Sequence, residues 1–242
     1  MNTTAEIRTL FQMLRGQIRS GSHAERLDAF YAPQAHSYDA FRERLLHGRN
    51  SLINLLQLDP GSHVVELGAG TGRNIEFFGD RIATFAQLDL VDVCKPLLEQ
   101  ARQRAARWPK VVNVVEADVE RFRPAHAVDC VYLSYSLSMT ANWKKTLNNA
   151  VRMLRPGGTL GVVDFYVSDA APPPGQARHG WFARQFWPRW FAHDGVRLNP
   201  AHLTALADCT DTVYLDQRLA PVPWLPALRV PYYVYVGRKR RT

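Results

Sequence analysis

The chain has 242 residues, 46% hydrophobic and 21% charged, the make-up of one soluble globular domain able to bury a core without disulfides or a structural metal. No apolar run reaches bilayer-spanning length and the N-terminus lacks the apolar stretch and cleavage site of a secretory signal, so the expected address is cytoplasmic. The net charge of +8 favours an anionic partner, nucleic acid or an anionic membrane surface, while the scattered Cys94, Cys130 and Cys209 suggest neither a disulfide framework nor a zinc site.

In chain order, Ile7, Leu10, Phe11, Leu14 and Ile18 fall at helical spacing, an amphipathic helix with arginines largely off the apolar stripe. A second helical region runs from about Tyr38 to Leu58 and stops at the turn signal Asp59-Pro60-Gly61-Ser62. Residues 1–60 read as a helical cap belonging to the same domain as the core, 61–242. From His63 onward the apolar runs HVVEL, TFAQLDLVD, VVNVVEAD, VDCVYL and TLGVVDF read as strands, separated by helices near 72–79, 96–107 and 143–154. That βαβα order predicts an α/β fold with a parallel, doubly wound sheet. Asn142 marks a helix start and Arg155-Pro156-Gly157-Gly158 a helix end. A proline-rich loop then leads to an aromatic stretch, a helix introduced by Asn199 and Pro200, and two closing strands, TVYLDQRL and YYVYVG, joined by the long apolar connection APVPWLPALRVP.

The segment HVVELGAGTGRN, His63 to Asn74, places Gly68, Gly70 and Gly72 at alternate positions behind an apolar strand that carries Glu66. Glycines let the backbone turn sharply and approach a ligand closely. The spacing is G-x-G-x-G, not the G-x-G-x-x-G of dinucleotide sites, and an ordinary glycine-rich turn is the alternative. Acidic residues at later strand ends strengthen the ligand reading. Asp92 closes the second strand, where a carboxylate can accept both hydroxyls of a ribose, and Asp118 closes the third, within reach of an adenine amino group; Asp89 is the second candidate for the ribose.

These features resemble the class I S-adenosylmethionine-dependent methyltransferases over roughly residues 38 to 240, and LRPGGTL before the fifth strand matches the same family. The resemblance implies a Rossmann-like, mostly parallel seven-stranded sheet and S-adenosylmethionine as cofactor. It also implies a cofactor site of Tyr38, Arg42, Glu66, Gly68, Ala69, Gly70, Gly72, Asn74, Asp92, Val93, Asp118, Val119 and Ser134, with Glu66 to Gly72 supporting the methionine part. The transfer itself is an in-line displacement that calls for no metal, only a nucleophile held near the methyl carbon in a dry site.

Substrate groups are expected at the same edge. Ser134, Tyr135 and Ser136 follow strand four, Asp164, Phe165 and Tyr166 follow strand five, and Tyr38, Asp39 and Arg42 reach over from the cap. Aromatic faces suit a quaternary ammonium product and an arginine suits a carboxylate. Trp181, Phe182, Phe186, Trp187, Trp190 and Phe191 are interleaved with Arg178, Arg184 and Arg189. This composition suits the headgroup level of a membrane, the alternative being a lid packed over the sheet.

A narrower resemblance concerns SYDAFRERLLHGRN, FWPRWFAHDGVRLNPAHL and PVPWLPALRVPYYVYVGRK, which are similar to segments of the bacterial diacylglyceryl-homoserine N-methyltransferases of betaine-lipid synthesis. It implies three successive methylations of the amine of a lipid substrate drawn from an anionic membrane surface, on the inner face of which the protein would be peripheral. A separate aminocarboxypropyl-transferring enzyme would supply that substrate. By this resemblance Tyr38, Tyr135 and Tyr166 surround the amine, Asp164 or a tyrosine takes its proton, and Arg42 or Arg49 holds a carboxylate. Arg49, Phe165, Trp187 and Trp190 form the substrate set, and His47 and His193 are weaker base candidates. The rival readings are a prenylated-quinone methyltransferase, a catalytically silent lipid-binding protein, and an RNA methyltransferase. Nucleic acid is the less favoured partner, since the segment after strand four reads SYSLSM and has no N-P-P-Y-type motif.

Overall fold

A computed structural model of the chain describes residues 44–192, 195–223 and 225–241. The N-terminal amphipathic helix and most of the expected cap, including Tyr38, Asp39 and Arg42, lie outside the described residues, as do His193 and Trp224. Seven strands make one sheet: β1 (His63–Leu67), β2 (Gln87–Asp92), β3 (Val112–Glu116), β4 (Val128–Ser134), β5 (Leu154–Phe165), β6 (Asp211–Val222) and β7 (Leu225–Arg238). Their order is β3-β2-β1-β4-β5-β7-β6. β1 to β5 are parallel, and β7 runs antiparallel between β5 and β6. The expected doubly wound, mostly parallel sheet is therefore present. Strand order reverses between β1 and β4, the point at which an open α/β sheet forms a crevice outside its carboxyl ends.

Strand alternation divides the core. In β1, Val64 turns to one face and Val65 and Leu67 to the other. The first face is covered by α1 (Arg49–Leu55), α2 (Ile75–Phe78), α3 (Lys95–Ala105) and α5 (Trp181–Ala192), the second by α4 (Trp143–Met153) and α6 (Ala201–Cys209). α1 lies so close to the sheet that a Cβ on Gly161 of β5 would stand 3.1 Å from Leu52 Cδ1 of the helix and 2.7 Å from Cδ2 of Leu56, which follows it. α4 begins as expected, with the Asn142 side chain accepting from the Lys145 N–H at 3.1 Å, satisfying one of the otherwise unpaired first-turn donors.

Two expectations need correction. Thr84 does not open β2: Gly79–Thr84 is a 3-10 helix and the strand starts at Gln87, because Phe85 turns back onto Phe78, with ring centroids 5.4 Å apart. The segment APVPWLPALRVP is not a long connection either, since β6 and β7 continue through most of it and pair as far as Val222 with Leu225. Its prolines are tolerated for a reason. Pro221 lies in the edge strand, and Pro231 lies just past the end of β5, where its carbonyl accepts the Tyr166 N–H at 3.3 Å and the ladder closes on that single bond.

Candidate active site

The glycine turn is fastened to the end of β2. Gly68 and Ala69 donate their N–H groups to the Val91 carbonyl at 2.8 and 3.0 Å, and Gly70 donates to Asp92 Oδ2 at 2.8 Å. Gly68, Gly70 and Gly72 all have positive φ, 77°, 55° and 68°. A Cβ on Gly68 would lie 2.4 Å from the Ser136 Cβ, so the turn presses against the loop after β4 and no side chain fits between them.

Asp92 is buried at the strand end, its Oδ1 accepting from the Cys94 N–H at 2.9 Å, and Val93 beside it is half-buried. Asp118 follows β3 as an exposed residue, with Val119 half-buried next to it. Its Oδ1 accepts the Glu120 N–H at 2.8 Å, leaving the other oxygen toward solvent near Arg121. Asp89, the second ribose candidate, is committed elsewhere: in mid-strand its oxygens meet His63, Gln87 and Asn113 at 2.8, 2.7 and 3.1 Å.

Below the turn, Glu66 is fully buried, with Asn74 Nδ2 donating to Oε1 at 2.6 Å and the Tyr132 hydroxyl to Oε2 at 2.7 Å. Burial pushes its carboxyl up to about 7 despite these hydrogen bonds and the nearby Arg49. Arg49, also buried, donates Nε to the Leu46 carbonyl at 3.2 Å and Nη1 to Asn74 Oδ1 at 3.5 Å. Arg49, Asn74, Glu66 and Tyr132 thus form one polar chain from α1 through β1 to β4. Arg49 therefore stands behind the glycine turn, with its guanidinium 5.4 Å from the centre of the Phe77 ring.

At the end of β4, Leu133 pairs with Leu67, so Ser134 stands level with Gly68; its hydroxyl is buried with no hydrogen-bond partner. Tyr135 is the one non-glycine with positive φ, 53°, among the described residues. That left-handed backbone is costly for an aromatic residue and is tolerated where the surroundings fix it. Here the Tyr135 N–H donates to the Val163 carbonyl at 2.8 Å, its hydroxyl donates to the His47 carbonyl at 2.6 Å, and its ring lies 4.5 Å from Phe165. Phe165 in turn stacks on Phe191 at 4.7 Å. His47 Nε2 is buried without a partner.

The expected catalytic set does not assemble as a group. Tyr135 and Phe165 share the first face, but Asp164 and Tyr166, each one residue from Phe165, alternate to the second. Asp164 is fully buried and receives the Ser138 N–H at 2.9 Å, the Ser138 hydroxyl at 2.6 Å and the Phe165 N–H at 2.8 Å. Burial raises its carboxyl to about 6 against those bonds, and it fixes the loop after β4 instead of facing a substrate. The Tyr166 hydroxyl donates to Gln217 Oε1 at 2.6 Å, with its ring against Tyr233 and His179, so both side chains lie across the sheet from the Tyr135 and Phe165 rings. Of the aromatic stretch, Trp187 and Phe191 are buried, Trp190 is half-buried against Phe186, and Trp181 and Phe182 are exposed. His47 and the strained Tyr135 backbone carried no strong sequence signal, since a left-handed tyrosine has no composition or period to mark it.

Residues 64–158 match the family model described as a methyltransferase domain. The chain is 28% identical over 150 residues to the ubiquinone/menaquinone biosynthesis C-methyltransferase UbiE of Pseudomonas fluorescens (strain Pf0-1), the match covering 59% of each; the chain thus spans about three-fifths of that relative's length. Among solved structures, the fold resembles the N-methyltransferase NodS of Bradyrhizobium japonicum WM9 in complex with S-adenosyl-L-homocysteine. The TM-score is 0.63 at 19% identity, covering 90% of this chain and 99% of that one. It also resembles the 1,6-didemethyltoxoflavin-N1-methyltransferase of Burkholderia thailandensis, with TM-score 0.61, 19% identity and 92% of each chain; at that identity the likeness concerns the fold. The residues present fit the cofactor such domains use, since Ser134 offers an orphaned hydroxyl beside the glycine turn and Asp92 and Asp118 hold acceptors at successive strand ends. Residues 64–158 thus match a methyltransferase domain and lie in a seven-stranded sheet whose fold resembles that of these methyltransferase structures.

Proposed function

We propose that the protein is an N-methyltransferase acting on the amine of a lipid, and that diacylglyceryl-homoserine is taken through three transfers to the trimethylated betaine lipid. The observation that carries this reading is the aromatic cluster at the carboxyl edge, where the buried rings of Tyr135, Phe165 and Phe191 follow one another at centroid distances of 4.5 and 4.7 Å. Such rings attract a cation that gains charge permanently as the nitrogen becomes quaternary, and they shield it from water. S-adenosylmethionine supplies an electrophilic methyl carbon. Asp92 holds the ribose, Asp118 with Val119 the adenine, and Ser134 a polar atom beside the turn. Arg49, steadied by Asn74, lends positive charge to the cofactor's carboxylate.

An ammonium must lose a proton before each transfer. With Asp164 held by Ser138, the group best suited to accept it is His47, whose buried Nε2 has no other partner. Three protons leave over the sequence, one for each methyl gained. The second reading is C-methylation of a prenylated quinone, favoured by the likeness to the quinone methyltransferase; there the same rings would stack on the quinone. Incubating the pure protein with methyl-labelled S-adenosylmethionine and a membrane extract separates the two. Label in an amine-bearing lipid supports the proposal, and label confined to quinone or RNA overturns it.

A further inference from the structure

An unbroken file of aromatic rings leads from solvent to the reacting edge. Trp181 and Phe182, side by side in the first turn of α5, are 69% and 59% exposed. Phe182 stacks on Phe186 at 5.1 Å, Phe186 meets Trp187 at 4.9 Å, Trp187 meets Phe191 at 5.8 Å, and Phe191 rests on Phe165. The inner part of α5 is therefore a lid packed on the sheet, and only its outer end presents apolar surface.

That outer end is basic. Residues 171–192 contain Arg178, Arg184 and Arg189 and no Asp or Glu, three positive charges against none. Arg178 is exposed, Arg184 Nε is buried without a hydrogen-bond partner, and neither arginine has an acidic partner among the described residues. Two aromatic side chains present at most about 500 Å², below the roughly 800 Å² per partner of a stable protein interface. Indole and phenyl rings flanked by cations are, however, sufficient for the headgroup layer of an anionic bilayer, where tryptophan is enriched and each cation adds attraction.

We propose that Trp181 and Phe182, with Arg178 and Arg184, dock the protein on an anionic membrane surface. The docking helix is then the same helix whose inner face covers Phe165, so the protein meets the bilayer beside the edge where a lipid amine reacts. The inference rests on the lipid-methylation reading for its purpose, but its test does not depend on catalysis.

The test is cosedimentation of the full chain with vesicles of phosphatidylcholine alone and of phosphatidylcholine mixed with phosphatidylglycerol. The mixed vesicles should bind the protein, and the double variant Trp181→Ala/Phe182→Ala should bind them about tenfold more weakly or worse. Arg178→Gln should cost about fivefold on the mixed vesicles alone. Unchanged cofactor affinity by calorimetry confirms that the variants are folded. Failure of the parent to bind, or binding indifferent to the double substitution, overturns the proposal. A concentration-dependent change in sedimentation that the double variant abolishes, without vesicle binding, reassigns the face to self-association and also overturns it. Methyl transfer to lipid in detergent micelles reports the other reading separately. Transfer without vesicle binding defeats the docking alone; vesicle binding without transfer defeats the lipid-methylation reading alone.

Discussion

Gly68 has the tightest surroundings in the crevice, with a positive φ and no room for a Cβ beside Ser136. Gly68→Ala should therefore cost about 2 kcal/mol or more, from backbone strain and the displaced loop together, and should weaken cofactor binding as well; urea titration and calorimetry measure the two losses. Asp92→Ala removes the acceptor of the Gly70 and Cys94 N–H groups as well as the proposed ribose contact. Cofactor affinity should fall at least tenfold, a loss of about 1.4 kcal/mol or more, and unchanged affinity would move the ribose elsewhere. Both residues were legible in the sequence, because a glycine at a required turn and a carboxylate at a strand end are marked by spacing. Adjacency in sequence does not place Asp164 and Tyr166 on the face of Phe165. Alternation about Phe165 was the available signal, and it sends both to the opposite face. The partner that holds Asp164, Ser138, lies 26 residues away and had no signature.

The composition of α5 suits a membrane contact or a lid; its inner end packs on the sheet, and its exposed outer end is the proposed docking face. Pro188 lies within the helix, which obscured a helical reading of the stretch, because proline ordinarily breaks a helix interior. Burial of Trp187 and Phe191 against the sheet supplies the compensating packing. Phe191→Ala should cost about 3 kcal/mol of stability through the cavity left against Phe165, read by chemical denaturation, and should raise KM for a lipid substrate. A loss below roughly 1 kcal/mol would mean that α5 is not held at this site. The parallel strands were legible as apolar runs bounded by turns. The two closing strands were legible as well, but not their continuation through the proline-rich connection into one hairpin, because the effect of a proline depends on the neighbour the strand has at that point.

Across the whole molecule, the sheet order brings the ends of β1, β2, β3 and β4 to one edge, and the polar chain through Glu66 ties that edge to α1. Glu66 gives the fold a pH signature. Its folded value of about 7 exceeds the ordinary 4.5, so the native state binds the proton more tightly than the unfolded state. Its contribution to stability is accordingly full below pH 4.5 and is lost as pH rises through 7. Glu66→Gln removes that dependence: relative to the parent, the variant should gain roughly 3 kcal/mol between pH 4.5 and 7, measured by denaturant titration at each pH. A difference that stays constant with pH would mean Glu66 is ionised throughout. The central claim, methylation of a lipid amine, meets its most direct test in mass spectrometry of synthetic diacylglyceryl-homoserine incubated with the protein and S-adenosylmethionine. The account predicts three successive methyl increments on the headgroup, and an unmodified lipid in the presence of a protein that binds the cofactor would contradict it.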